Sequence, residues 1–116
     1  MKLRLRGNSL RLRLSQSEVE TLASSGLLEE SVEFTPNPLV YMVYASKDCT
    51  DIQVSFLNGW ITVAVPEDRL KSWASSDTVG MEAAHGGILV LIEKDFACAH
   101  RDAAENEDAF PHPASL

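Results

Sequence analysis

The sequence has few cysteines and no long apolar run, and these absences exclude several classes of protein. Only two cysteines, Cys49 and Cys98, occur among the 116 residues, too few for the disulfide framework of a small secreted domain. No uninterrupted apolar run, including Ile88 to Ile92, approaches the roughly 18 residues of a membrane span. The first residues interleave cations with leucines, so we expect no secretory signal peptide. A cytoplasmic location with reduced thiols and no membrane association is predicted.

The composition is that of one globular domain. Hydrophobic residues make up 45% of the chain and charged residues 23%, close to the averages of folded domains. A chain of this length suffices for one compact core and is too short for two ordinary domains. The apolar pattern stops at Ala97. We therefore expect an α+β domain over residues 1–96 and an acidic, extended tail over residues 97–116, which Phe110 attaches to the domain.

The first fourteen residues predict a β-hairpin with one basic face. Leucines alternate with lysine and arginine on both sides of Gly7-Asn8, which is the period of two expected for half-buried strands. A glycine in first position suits a type II′ turn, which sets Arg4 opposite Arg11 and Lys2 opposite Arg13. A slip of one residue would expose the leucines, so the leucines are expected inside and the cations outside.

Two helices are predicted from their ends. Ser15 and Glu18 form a Ser-x-x-Glu capping box, and Gly26 suits the position that ends a helix, so the first helix is expected over about Gln16–Ser25. Pro66 is well placed to open the second helix, because its missing N–H costs little in the first turn.

Strands are predicted for most of the remaining domain. Asn58-Gly59 predicts a type I′ turn between two alternating segments, and a last strand is expected over Ile88–Phe96. Residues 75–87 are rich in serine, glycine and alanine and are expected to form a connection. The predicted order is β-β-α-β-β-β-β-α-β: an α+β fold with a mainly antiparallel, curved sheet of about seven strands and two helices, or alternatively an open barrel. No internal repeat that would dictate a solenoid is evident.

The cationic face of the first hairpin is the candidate site, with Arg4, Arg6, Arg11 and Arg13 as its anion-binding residues. Residues 1–14 carry five of the ten cations and none of the 17 acids. Like charges directly opposite each other in a strand pair are unfavourable by about 0.2–1 kcal/mol, so a compensating anion is expected. It is either internal (Glu29, Glu33, Glu93, Asp95 or the acids after Asp102) or external, as a phosphate-bearing ligand or an acidic protein segment; arginine binds both bidentately.

Other chemistry has weaker support. The net charge of −7 and the lack of aromatic residues in the first hairpin disfavour nucleic acid as a partner. Cys98, His100 and His112 with Asp102 are proper zinc ligands, but their spacing matches no established zinc pattern, so no metal site is predicted. No recognised catalytic motif or cofactor-binding motif occurs, and no catalytic residue or cofactor is assigned.

Both ends of the chain resemble a small bacterial family of uncharacterised proteins. The similar segments are Lys-Leu-Arg-Leu-Arg-Gly-Asn-Ser-Leu-Arg-Leu-Arg-Leu-Ser-Gln-Ser-Glu-Val-Glu at residues 2–20, Ile92–Cys98, and the acidic tail toward Phe110-Pro111. Since the family is a domain of unknown function, the resemblance implies no activity and no site residue. Triphosphate tunnel enzymes also alternate charged residues on strands, but this chain lacks their Glu-x-Glu-x-Lys motif.

The sequence thus predicts a non-enzymatic binding or interaction module whose basic hairpin face meets acidic groups or a phosphate-bearing ligand. One alternative is a metal-assisted phosphohydrolase that uses the arginines with Glu93 and Asp95, which share a strand face. The other is self-association as a homodimer through the exposed edge of the hairpin.

Overall fold

The structure, a computed structural model, describes residues 1–96 and 108–111. Within these residues it is an α+β fold of eight strands and two helices. The strands are β1 (Lys2–Arg6), β2 (Ser9–Leu14), β3 (Leu27–Val32), β4 (Leu39–Ser46), β5 (Gln53–Leu57), β6 (Trp60–Pro66), β7 (Gly80–His85) and β8 (Ile88–Lys94). The helices are α1 (Gln16–Ser25) and α2 (Glu67–Ala74).

The strands of the described residues form two mixed sheets of four strands each. The first sheet has the order β1-β2-β8-β7 and the second has the order β3-β4-β6-β5. In both sheets the two central strands are parallel and the outer pairs are antiparallel. The expected α+β class is confirmed, but the expected single, mainly antiparallel sheet of about seven strands is wrong.

The additional strand is β7, which lies where a connection was expected. Its sequence, Gly-Met-Glu-Ala-Ala-His, contains residues that are rare in strands, so its local propensity is low. It becomes a strand because it pairs along its whole length with the strongly apolar β8 across the Gly86-Gly87 turn. Tertiary pairing here overrides local propensity.

Local signals place the other elements well. The β1–β2 register is the one that the Gly7-Asn8 turn predicts, with Arg4 opposite Arg11. Helix α1 has the expected bounds, both hydrogen bonds of the capping box are present, and Gly26 is left-handed at the end of the helix. Asn58 and Gly59 both have positive φ, as a type I′ turn requires.

An approximate twofold symmetry relates the two sheets. The first half of the chain, β1-β2-α1-β3-β4, and the second half, β5-β6-α2-β7-β8, have the same order of elements. Exchanging the two halves converts the strand order of the first sheet into that of the second. Each sheet therefore joins the leading strand pair of one half to the closing strand pair of the other half.

The symmetry extends to the register and to single hydrogen bonds. Leu12 of β2 lies beside Ile92 of β8 in the first sheet, as Val63 of β6 lies beside Val43 of β4 in the second. The backbone N–H of Leu89 donates to Asn8 at 2.9 Å, and its counterpart, the N–H of Val40, donates to Gly59 at 2.9 Å. The fold is thus a repeat of two ββαββ units that exchange strands.

The hydrophobic core lies between the inner faces of the two sheets and under the helices. Both helices follow the carboxyl end of a central strand, so they pack at one end of the sheets, called here the helix end. The short turns at Gly7-Asn8, Asn58-Gly59 and Gly86-Gly87 lie at the opposite end, called the turn end. The fully buried core side chains come from both sheets and both helices: Leu12, Leu14, Leu22, Val43, Ile52, Val63, Val65, Leu70, Val90 and Ile92.

The described part of the tail lies against the helix end. Phe110 forms an isolated parallel bridge with Phe96, and their rings meet edge to face at 5.8 Å. The ammonium of the buried Lys94 lies 5.4 Å from the ring centre of Phe110 and 5.5 Å from that of Trp73. The remainder of the expected extended tail lies outside the described residues.

Candidate functional site

The cations of β1 and β2 occupy the outer face of the first sheet and are called here the basic face: Lys2, Arg4, Arg6, Arg11 and Arg13. Successive side chains of a strand point to opposite faces, so the leucines between them point inward. Leu10, Leu12 and Leu14 of β2 are buried accordingly. Leu5 also has the inward orientation, but it is 61% exposed because it lies near the turn end.

Two members of the basic face pair with acids at the carboxyl end of β8. The ammonium of Lys2 donates to Asp95 Oδ2 at 3.2 Å. Arg11 Nε lies 2.7 Å from Glu93 Oε1, although the N–H does not point at the oxygen closely enough for a hydrogen bond. Glu93 and Asp95 are two of the internal carboxylates that the sequence suggested. They compensate one cation each.

The other three arginines have no such partner among the described residues. Arg4, Arg6 and Arg13 are exposed, and no carboxylate among the described residues lies within 4.0 Å of their guanidinium nitrogens. Glu29, another suggested partner, belongs to β3 in the second sheet, and Glu33 follows that strand and accepts a hydrogen bond from Ser31. Within the described residues, internal pairing therefore accounts for only part of the basic face. Of the acids after Asp102, only Asp108 is described, and it bonds to Ser17.

Three of the four predicted arginines surround one concavity. Arg4, Arg6 and Arg11 line it together with Ser9 and Leu91, and its volume is about 100 Å³. Ser9 Oγ donates to the Arg6 carbonyl at 2.6 Å, which fixes the hydroxyl beside the guanidinium groups. Arg13 lies further along β2 and is not part of this lining.

Sequence reasoning missed two residues of this lining. Ser9 could have been found, because the predicted turn already sets it opposite Arg6. Leu91 could not, because it reaches the concavity only through the parallel pairing of β2 with β8, where it lies beside Arg11. Strands so distant in sequence carry no local signal for their pairing.

The structure gives no support for a metal site among the described residues. His100 and His112 with Cys98 and Asp102, the zinc ligands weighed above, lie outside the described residues. In the part of the chain that is described, no group of three or more histidine, cysteine or acidic side chains could hold a metal ion. Cys49 is a free, half-buried thiol.

A second charged cluster lies at the helix end, between β1 and β3. The buried amino group of Met1 forms ion pairs with Glu18 and with Glu30, the latter at 2.5 Å. The Tyr41 hydroxyl donates to Glu30 Oε2 at 2.9 Å. Burial and the hydrogen bond to Glu30 together raise the pKa of Tyr41 to about 12. Every member has an internal partner, so this cluster is structural.

Comparisons with known proteins give a family and no activity. No helix among the described residues is long and apolar enough to cross a bilayer. No curated protein and no solved structure gives a significant match to the chain. Residues 1–114 match the model of a family of unknown function, DUF7009, and the chain therefore belongs to that family.

Proposed function

We propose that the protein is a non-enzymatic binding module that holds a phosphate-bearing ligand on its basic face. Arg4, Arg6 and Arg11 would contact the anion. We also propose that the protein is located in the cytoplasm, because its two cysteines provide no disulfide framework.

The observation that carries the proposal is the concavity between Arg4, Arg6 and Arg11. Arg4 lies directly opposite Arg11, an unfavourable juxtaposition of like charges. Of the three guanidinium groups only that of Arg11 has a carboxylate nearby among the described residues. A phosphate seated in the concavity would compensate the remaining positive charge and accept paired hydrogen bonds from the planar guanidinium groups.

The internal symmetry provides a comparison within the same molecule. Where the first sheet carries Arg4, Arg11 and Arg13, the equivalent positions of the second sheet carry Ser55, Thr62 and Ala64. The fold therefore forms with small neutral side chains at these positions. Because the architecture does not require arginine there, a binding role is the better explanation for the cluster.

Neither alternative gains a specific supporting contact. A metal-assisted phosphohydrolase would need Glu93 and Asp95 around an open metal position, whereas they lie against Arg11 and Lys2. β1 is an edge strand, as self-association through the hairpin edge requires. However, antiparallel pairing of two copies of β1 would set the cations of one against those of the other.

Calorimetric titration with inorganic tripolyphosphate at low and high ionic strength tests the proposal. We expect saturable binding that weakens with added salt, and at least tenfold weaker binding by the double variant Arg4→Gln/Arg6→Gln. The matched control, Lys47→Gln/Arg69→Gln, removes the same charge outside the basic face and should bind like the wild type. Absence of binding at low salt, or equal loss in both double variants, would refute the proposal. Tighter binding of an acidic peptide would assign the face to a protein segment instead.

A further inference from the structure

A second concave site lies at the turn end, between the inner faces of the two sheets. Its volume is about 550 Å³, within the range of about 300–1,000 Å³ that is typical of small-molecule sites. It shares Ser9 with the lining of the concavity on the basic face, but none of the basic-face arginines lines it. We call it the axial cleft; its apolar lining side chains are Leu5, Leu10, Leu39, Val54, Phe56, Ile61 and Ile88.

The name reflects the position of the cleft on the approximate twofold axis. Leu5 of β1 and Phe56 of β5 are equivalent in the two halves, and so are Leu10 of β2 and Ile61 of β6. Equivalent side chains of the two halves therefore line the same cleft. The helices close the helix end of the core, whereas no helix packs at the turn end, where the lining includes Gly7 and Gly86 of two short turns.

Among the described residues the lining is mainly apolar, with Asn8, Ser9, Ser55 and His85 as its polar members, and it carries no lysine, arginine or carboxylate. The cleft thus differs in charge from the rest of the molecule, which has a net charge of −7 and a strongly basic first strand pair. Phe56 is 69% exposed and Leu5 is 61% exposed at its mouth. These side chains retain apolar surface that burial against a ligand would remove from water, which is favourable.

His85 is the one titratable side chain among the described residues of the lining. Its Nδ1 lies 3.1 Å from both the backbone nitrogen and the carbonyl oxygen of Val54 on β5, and it accepts from the N–H or donates to the carbonyl according to its tautomer. Nε2 makes no hydrogen bond with the part of the chain that is described. The ring thus has its orientation fixed by one nitrogen and retains the other for a ligand.

We infer that the axial cleft binds one small, uncharged, mainly apolar molecule with a polar group that hydrogen-bonds His85. Because the described lining has no charged side chain, the cleft has no group that would select an ionic ligand strongly. Its volume is that of a small-molecule site, whereas a protein partner would need a surface of about 800 Å² on each side of the interface. The site is independent of the function proposed for the basic face.

Titration of the full chain with Nile red, an uncharged apolar dye, tests the inference. Dye fluorescence should report saturable binding of one molecule per chain. Phe56→Asp places a carboxylate at the mouth of the cleft and should weaken binding at least tenfold. Nuclear magnetic resonance of the saturated complex should show shifted ring signals of His85.

The matched control is Leu57→Asp. Leu57 is 70% exposed and adjacent to Phe56, but its side chain points to the outer face of the second sheet. Both positions are at the surface, so circular dichroism should show both variants folded. Failure of the dye to saturate, equal weakening by the two variants, or unchanged His85 signals would overturn the inference. A wild-type dimer in light scattering that Phe56→Asp dissociates would also overturn it, by assigning the cleft to a second copy.

Discussion

At the residue scale, the carboxylate of Glu18 joins the start of α1 to the amino group of Met1. It accepts a hydrogen bond from the Ser15 N–H at 2.8 Å and forms an ion pair with the Met1 ammonium. Burial by itself would raise the pKa of Glu18, but these hydrogen bonds outweigh it and lower the pKa below the ordinary value of 4.5. A lowered folded-state pKa means that the carboxylate stabilises the fold above about pH 4.5 and that this contribution is lost as pH falls through the folded-state pKa.

We therefore expect Glu18→Gln to lower the free energy of unfolding by about 1–2 kcal/mol at pH 7. The difference from the wild type should shrink as the pH falls below the ordinary carboxyl pKa. Urea unfolding at neutral and acidic pH measures both effects. The control is Glu20→Gln, an exposed position of the same helix, which should change the stability little. A Glu18→Gln difference that stays constant with pH would contradict the assignment.

Tyr41 gives a pH dependence of the opposite sign. Its pKa is raised from 10.0 to about 12, so its contribution to stability is fully present below pH 10 and is lost as pH rises through about 12. Tyr41→Phe should lower the free energy of unfolding by about 1 kcal/mol at neutral pH, because a hydrogen bond to Glu30 is lost. It should also remove the late phase of tyrosinate absorbance in an alkaline titration. If Tyr44→Phe removed that phase instead, the assignment of the raised pKa to Tyr41 would be refuted.

At the element scale, the close packing of β7 on β8 depends on Gly80. A Cβ at this position would lie 2.9 Å from the carbonyl oxygen of Ile92 and 3.0 Å from Cγ of Glu93. Gly80→Ala should therefore lower the free energy of unfolding by about 1–3 kcal/mol in urea unfolding, the usual cost of overpacking. Ala84→Ser also adds one heavy atom to β7, at an exposed position, and should be nearly neutral. Equal effects of the two substitutions would show that the contact at Gly80 relaxes easily.

The elements also show what the sequence could and could not predict. Helix α1 and the turns at Gly7-Asn8 and Asn58-Gly59 were predictable, because capping residues and turn glycines act within a few positions of the chain. The arginines of the basic face were predictable for the same reason, since the turn sets their register. The pairing of β2 with β8 and of β4 with β6 was not, because these strands are distant in sequence and meet only in the folded chain.

At the scale of the whole molecule, the sequence does not reveal the repeat, because the two halves share a pattern of apolar positions and few identical residues. When Met1–Ser25 is aligned with Ile52–Ser76, the only identical residues are Ala23, Ser24 and Ser25 against Ala74, Ser75 and Ser76. Every apolar residue of the first segment matches an apolar residue of the second, as Leu12 matches Val63, but alternating strands resemble each other in any sheet. The symmetry became visible only from the strand order of the two sheets.

The exchange of strands between the halves predicts that neither half folds alone. Each sheet takes two strands from each half, so a fragment of residues 1–48 or 49–116 would leave its inner leucines and valines without the opposing strands. Each monomeric fragment should give the circular dichroism of an unfolded chain, and an equimolar mixture should recover the spectrum of the intact protein. A single fragment that folds as a monomer would show that the shared sheets are not essential.

The position of the axial cleft on the twofold axis has a consequence for the orientation of a guest. A molecule turned end for end would meet nearly the same apolar walls, so shape alone would distinguish poorly between its two poses. His85 removes this degeneracy, because the equivalent position in the other half is Val32, which offers no polar atom from its side chain. One imidazole would then decide which end of the guest faces which sheet.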